Sequence, residues 1–128
     1  MSSRSREDLF SEGEAHFARG EWFEAHESWE ELWHGLVGEE RQFVQGLIQA
    51  AVALHHQNNG NGAGAWNLAR RVESRMAEVG SDWYGVDRVR FLVEFRLATN
   101  GFGLISESEM RGGASVPKPK AFPLPKLG

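Results

Sequence analysis

From Gln42 to Gln57 the chain carries no charged residue, and its apolar side chains fall on nearly every side of a helix. Phe43, Val44, Leu47, Ile48, Ala50, Ala51, Val52, Ala53 and Leu54 leave little room for a solvent face. A helix that is apolar all round has to be wrapped by other elements. Glu39 and Glu40 open this segment and Asn58-Asn59-Gly60 closes it, as the macrodipole and the left-handed cap favour. The spacing therefore predicts a central helix over about Glu39–Gln57, and the rest of the chain must supply its cover.

The cover also reads as helical. Four further helices are predicted, over about Asp8–Arg19, Trp22–His34, Ala63–Val79 and Val86 or Asp87 to Thr99. Ser5, three residues before Asp8, forms a capping-box pattern. Gly20, Gly35, Gly60, Gly80 and Gly101 stand where the periodic runs stop. None of the segments alternates as a strand does. A faint repeat at a spacing of 40 aligns Arg19–Ala25 with Asn59–Ala65, with Gly20 over Gly60 and Ala25 over Ala65. Helix, glycine turn, helix, stated twice, is how tetratricopeptide-type hairpins are built. The expected fold is all-α: a compact bundle of about five helices made of tetratricopeptide-like hairpins. It spans residues 5–100, and residues 101–128 form a Gly/Pro-rich extended or disordered tail that Phe122 and Leu124 could pin to the body.

With 128 residues, the chain is long enough for one domain with a real core. It has no cysteine, which removes disulfides, thiolate metal sites and cysteine nucleophiles. The first eight residues have no apolar core of a signal peptide, and no apolar run reaches the length of a membrane span. A cytoplasmic protein without a membrane partner is expected. Net charge is −4, but residues 111–128 carry Arg111, Lys118, Lys120 and Lys126 and no acid, so the remainder stands at −8 (−4 minus +4). An acidic body argues against nucleic acid as a partner.

The second predicted helix carries a polar pair inside its aromatic stripe. At about 100° per residue, Trp22, Trp29 and Trp33 fall within roughly 60° of His26, and Glu30 lies about 40° from it. Glu24, Glu27, Ser28 and Glu31 fall on the opposite, solvent side. A carboxylate set in an apolar stripe needs a partner. On the central helix, Gln42, Gln45, Gln49 and His56 form one narrow polar line, and neutral amides suit a buried network better than open water. His55 points away from it. Placed side by side, the two helices bring His26 and Glu30 towards Gln45, Gln49 and His56, with Trp29 and Trp33 as walls.

These residues resemble a known family, the small all-helical bacterial and archaeal proteins called domain of unknown function 309. Its hallmark is a His-x3-Glu-x2-Trp motif, here His26, Glu30 and Trp33. Its second block is a Gly-Leu-Ile-Gln run followed by His and Gly-Asn, here Gly46-Leu47-Ile48-Gln49, His56 and Gly60-Asn61, completed by Gly64-Ala65. The resemblance covers about residues 8–80. It implies an all-helical fold and points to the polar motif as the seat of any metal or catalytic role, without naming an activity. The long tail and Asn58-Asn59 before Gly60 depart from the family pattern and leave the motif intact.

Three readings of the constellation follow. In a metal-dependent enzyme such as a hydrolase, His26, Glu30 and His56 would hold one divalent metal ion, with Glu30 and Gln49 as catalytic groups. In a binding module, Trp29, Trp33 and Gln45 would contact a small molecule or peptide. In a structural reading, the pair fixes how two helices dock. Serine catalysis has no support, because Ser28 points outward and no His-Asp arrangement accompanies Ser74 or Ser81. Gly60–Gly64 lacks the Lys-Ser/Thr of a phosphate loop. Trp83-Tyr84 has two roles open to it, a homodimer patch or a cover for the core. Glu39 and Glu40 read as part of a solvated face.

Overall fold

The computed structural model describes residues 4–101, 104, 106, 108 and 117–128. Among them are five helices: α1 (Arg6–Ala18), α2 (Trp22–Trp33), α3 (Gly38–Asn58), α4 (Gly62–Glu78) and α5 (Arg88–Ala98). All five stand within a few residues of their predicted bounds. Ser5 caps α1: its hydroxyl accepts from the Asp8 backbone N–H while the Asp8 carboxylate accepts from the Ser5 N–H. Asn61 and Asp87 cap α4 and α5 through their side chains.

Helices α1 to α4 pack in sequence order, each on its neighbour, with α3 held between α2 and α4. Phe43, Val44, Leu47, Ala50, Ala51, Ala53 and Leu54 of α3 are all fully buried. Most of the uncharged run is thus covered, and only Gln42, Gln45, Val52, His55 and His56 stay partly or fully exposed.

The repeat at 40 has a physical counterpart in two matching turns. Gly20 and Gly60 take φ values of 77° and 79°, which suit glycine because no Cβ is present to clash. Glu21 N–H donates to the His16 carbonyl at 2.9 Å, and Asn61 N–H to the His56 carbonyl at 2.8 Å, so each turn closes in the same way. Four residues on, Ala25 and Ala65 are both fully buried where the next helix begins against the core. The chain is therefore two α-hairpins, α1–α2 and α3–α4, made with one turn chemistry.

The end of the chain packs back on this body. Phe122 and Leu124 are buried, and the Phe122 ring meets Phe17 of α1 edge-on at 5.1 Å and Phe91 of α5 at 6.1 Å. An antiparallel bridge joins Val86 to Lys126. Gln57, fully buried at the end of α3, donates to the Ala98 carbonyl at 3.1 Å and to the Pro117 carbonyl at 2.7 Å. Much of the Gly/Ser-rich stretch of the predicted tail, including residues 109–116, lies outside the described residues.

Two surface expectations need correction. Glu39 and Glu40 are not a bare solvated face: Glu39 accepts from the Trp83 indole N–H at 3.2 Å and Glu40 from the Tyr84 hydroxyl at 2.5 Å. The Tyr84 ring stacks on Phe10, 4.2 Å away and nearly parallel, so this pair covers the core at the start of α3. Ser28, expected to face solvent, is buried. The buried face of α2 is Trp22, Ala25, Ser28, Trp29 and Leu32. Its centre is displaced towards the small residues, because that is where a neighbouring helix can come closest.

Candidate functional site

That rotation of α2 moves His26, Glu30 and Trp33 from the centre of its packed face to one edge. The edge meets α3, which runs antiparallel after the short 34–37 connection, and then α4. A groove of about 350 Å³ opens where the three helices converge. His26, Glu30 and Trp33 come from α2, Gln45 and Gln49 from α3, and Arg71 from α4. Ile48, Val52 and Leu68 make its apolar floor.

His26 is fixed at both ring nitrogens. Nδ1 lies 2.9 Å from the Phe23 carbonyl oxygen. A carbonyl only accepts, so Nδ1 carries the hydrogen. Nε2 lies 2.9 Å from Glu30 Oε2, one helical turn away. A neutral ring with its hydrogen on Nδ1 would present a lone pair to that carboxylate. A hydrogen bond between them therefore requires one further proton, on Nε2 or on Glu30. The His26 side chain is 20% exposed and that of Glu30 49%, so Glu30 stands at the rim rather than in the core where the sequence pattern set it.

Gln49 is buried beneath the groove, and its Oε1 accepts from Arg75 Nε at 3.0 Å. Gln45 is half-buried and lines the opening. Beside it a second depression is lined by Trp33, Arg41, Gln42, Gln45 and Arg75, so Trp33 and Gln45 form the wall common to both. The Arg41 guanidinium lies over the Trp33 ring, 3.9 Å from its centre.

Two of the sequence-derived site residues stand elsewhere. Trp29 is fully buried in the core, its indole N–H donating to the Phe10 carbonyl at 3.2 Å, and so cannot touch a ligand in the groove. His56 shares the polar line of Gln49 in projection, but seven residues at 1.5 Å each place it about 10 Å further along α3. Its neighbours there are His55, with ring centres 6.0 Å apart, and Asn61. The His26–Glu30–His56 triad is thus not assembled. Among the described residues no three His, Asp or Glu side chains converge to hold a metal ion. Nor is any described helix long and apolar enough to cross a membrane.

Sequence reasoning missed Arg71 and Arg75. They sit one turn apart on α4, and the 3.6-residue period could have placed them on one face. Nothing in the sequence says that this face closes the groove of α2 and α3.

Residues 10–68 match the family described as domain of unknown function (DUF309). The family is the one that the His26–Glu30–Trp33 motif resembles. Its match takes in both motif-bearing helices and the start of α4, and ends just before Arg71. An uncharacterised protein of Aquifex aeolicus (strain VF5) is 32% identical over 103 residues, covering 77% of this chain. That stretch is 31% of the Aquifex protein, so the chain spans less than a third of this relative's length. No solved structure matches the chain.

Proposed function

We propose that the α2–α3–α4 groove of this chain binds a small polar ligand, with the His26–Glu30 pair as a polar contact in its wall. The observation that carries this is the convergence of four motif residues, His26, Glu30, Trp33 and Gln49, and of Gln45 from the same polar line, on one opening. A concave site with an apolar floor and a few converging polar groups is the ordinary form of a ligand pocket. In this reading Gln45 reads the ligand by its amide, and Trp33 supplies a flat wall. Glu30 touches it at the rim, while Gln49 acts indirectly by holding Arg75. The stacked hairpins, tetratricopeptide-like in their turn and order, present this groove as such hairpins present theirs. A metal-dependent hydrolase would need a third ligand beside His26 and Glu30, and His56 stands too far along α3 to serve.

The test is fragment binding to the full chain, followed by ¹⁵N NMR. Ligands of the groove should shift the side-chain amides of Gln45 and Gln49 and the Trp33 indole together. His26→Ala and Gln45→Leu should each weaken such a ligand about tenfold or more, the loss expected for one good charged or buried hydrogen bond. Fragments that bind wild type and both variants alike would remove the groove from consideration.

A further inference from the structure

Four of the ten described arginines of this acidic chain stand beside carboxylates. Arg4 pairs with Glu12 and Glu31, Arg6 with Glu40, Arg19 with Glu21, and Arg96 with Glu73. The arginines around the groove do not. Arg71 lines it from α4, and among the described residues no carboxylate or carbonyl meets it. Arg75 spends its Nε on the neutral oxygen of Gln49, and among the described residues no carboxylate or carbonyl meets its Nη groups. Arg41 is held flat on Trp33 by stacking alone. The one acid lining either depression is Glu30, and it already faces His26.

Three guanidiniums thus border two adjoining depressions that share Trp33 and Gln45, with Glu30 as the one carboxylate in their linings and Glu78 joining Arg71 and Arg75 in a further cavity along α4. In a chain of net charge −4 such a concentration of positive potential is not a by-product of composition. Two of the three forks are also oriented by a neutral neighbour, Arg75 by Gln49 and Arg41 by Trp33. Orientation by groups that do not neutralise the charge is what a preformed oxyanion site requires.

We propose that the ligand of this groove carries an oxyanion, a phosphoryl or carboxylate group, which Arg71, Arg75 and Arg41 hold beside Trp33. The inference rests on the groove reading above and names the class of its ligand. The rest of the molecule lies over Ile48, Val52 and Leu68, with a hydrogen-bonding group towards His26 and Gln45. An anion entering here meets donors already in place, and its attraction weakens with added salt.

The experiment titrates the full chain with inorganic phosphate, with citrate, and with chloride at matched ionic strength. It reads the Nε–H signals of the arginines and the Trp33 indole signal by ¹⁵N NMR. Phosphate or citrate should produce saturable shifts at Arg71, Arg75 and Trp33, and chloride should not. The double variant R71Q/R75Q should weaken binding at least about tenfold, as loss of two charge-assisted contacts predicts. R90Q should bind as wild type does, since Arg90 stands on α5 and lines neither depression. Tighter binding of phosphate assigns a phosphoryl ligand, and tighter binding of citrate a carboxylate. Shifts that chloride reproduces, or that spread equally to Arg90, overturn the proposal. If neutral fragments shift Gln45 while neither oxyanion binds, the anion is wrong and the groove stands. If oxyanions bind at Arg71 and Arg75 while no fragment answers to His26 or Gln45, the groove reading fails and the anion site stands.

Discussion

His26 makes both of its ring contacts within its own helix, to Phe23 and to Glu30. Neither contact fastens α2 to α3, and Glu30 is half in water. Exposed ion pairs of this kind contribute about 0.2–1 kcal/mol. His26→Ala should therefore cost less than about 1 kcal/mol in urea unfolding, whereas a pair buried as the aromatic stripe suggested would lose about 1–3 kcal/mol. A loss of the larger size would make the pair a structural member of the fold. Glu39 presents the opposite case, a carboxylate that joins separate parts of the chain. The Trp83 indole N–H, then the Ser81 side chain and backbone donors, lower its pKa below the usual value of 4.5, against the opposing effect of burial. A depressed carboxylate adds stability above its unfolded value, and that stability is lost as pH falls through the folded one. Wild type should thus be more stable than Glu39→Gln near neutral pH, and the gap should close below about pH 4.5. A gap that persists unchanged into acid would show that the carboxylate's charge contributes nothing. Tyr84 behaves conversely: burial and the neighbouring Glu40 push its hydroxyl well above the ordinary tyrosine value, so it remains a donor throughout the physiological range.

At the scale of the element, two glycines explain how closely the helices pack. A Cβ on Gly13 of α1 would stand 2.3 Å from the Trp29 indole nitrogen. A Cβ on Gly46 of α3 would stand 2.6 Å from the terminal methyl of Met76. The indole is rigid, buried and hydrogen-bonded to Phe10, whereas the methionine end can swing aside. Gly13→Ala should therefore destabilise by about 1–3 kcal/mol despite the gain in helix propensity. Gly46→Ala should stay within about 0.5 kcal/mol of wild type, because propensity offsets the shift of Met76. Urea unfolding of the two variants separates the cases, and equal losses would mean that Trp29 yields as easily as Met76. The helices themselves were legible because each carries its own start and stop: Ser5 with Asp8, Asn61, Asp87, and the glycines at 20 and 60. The rotation of α2 was not. Three tryptophans dominate any hydrophobic pattern by size, yet Ala25 and Ser28 set the axis of contact, because interhelical approach is governed by the smallest side chains. His56 was misplaced for a related reason. A helical projection retains angle and discards distance along the axis.

At the scale of the whole molecule, α5 makes few contacts with α4 and relies on the returning end of the chain. Phe122 joins Phe91 of α5 to Phe17 of α1, and the Asp87 N–H donates to the Pro125 carbonyl at 2.9 Å. Phe122→Ala should cost about 2–4 kcal/mol, and hydrogen exchange should quicken in α5 well before it does in α3. Uniform quickening would instead make α5 part of one cooperative unit with the hairpins. The all-helical class, the five segments, the central place of α3 and the repeated hairpin turn are all properties of the sequence alone. They follow from local rules, since a missing charge, a cap or a glycine acts on its own few neighbours. The motif likewise marked His26, Glu30, Trp33 and Gln49, and the polar line of α3 marked Gln45, before any packing was known. Tertiary structure decided the rest: that Trp29 belongs to the core, that His56 stands apart, and that Arg41, Arg71 and Arg75 border adjoining depressions that share Trp33 and Gln45. Those facts depend on how far each helix is turned and slid against its neighbours. That setting is fixed by contacts between residues remote in sequence, which no local period records.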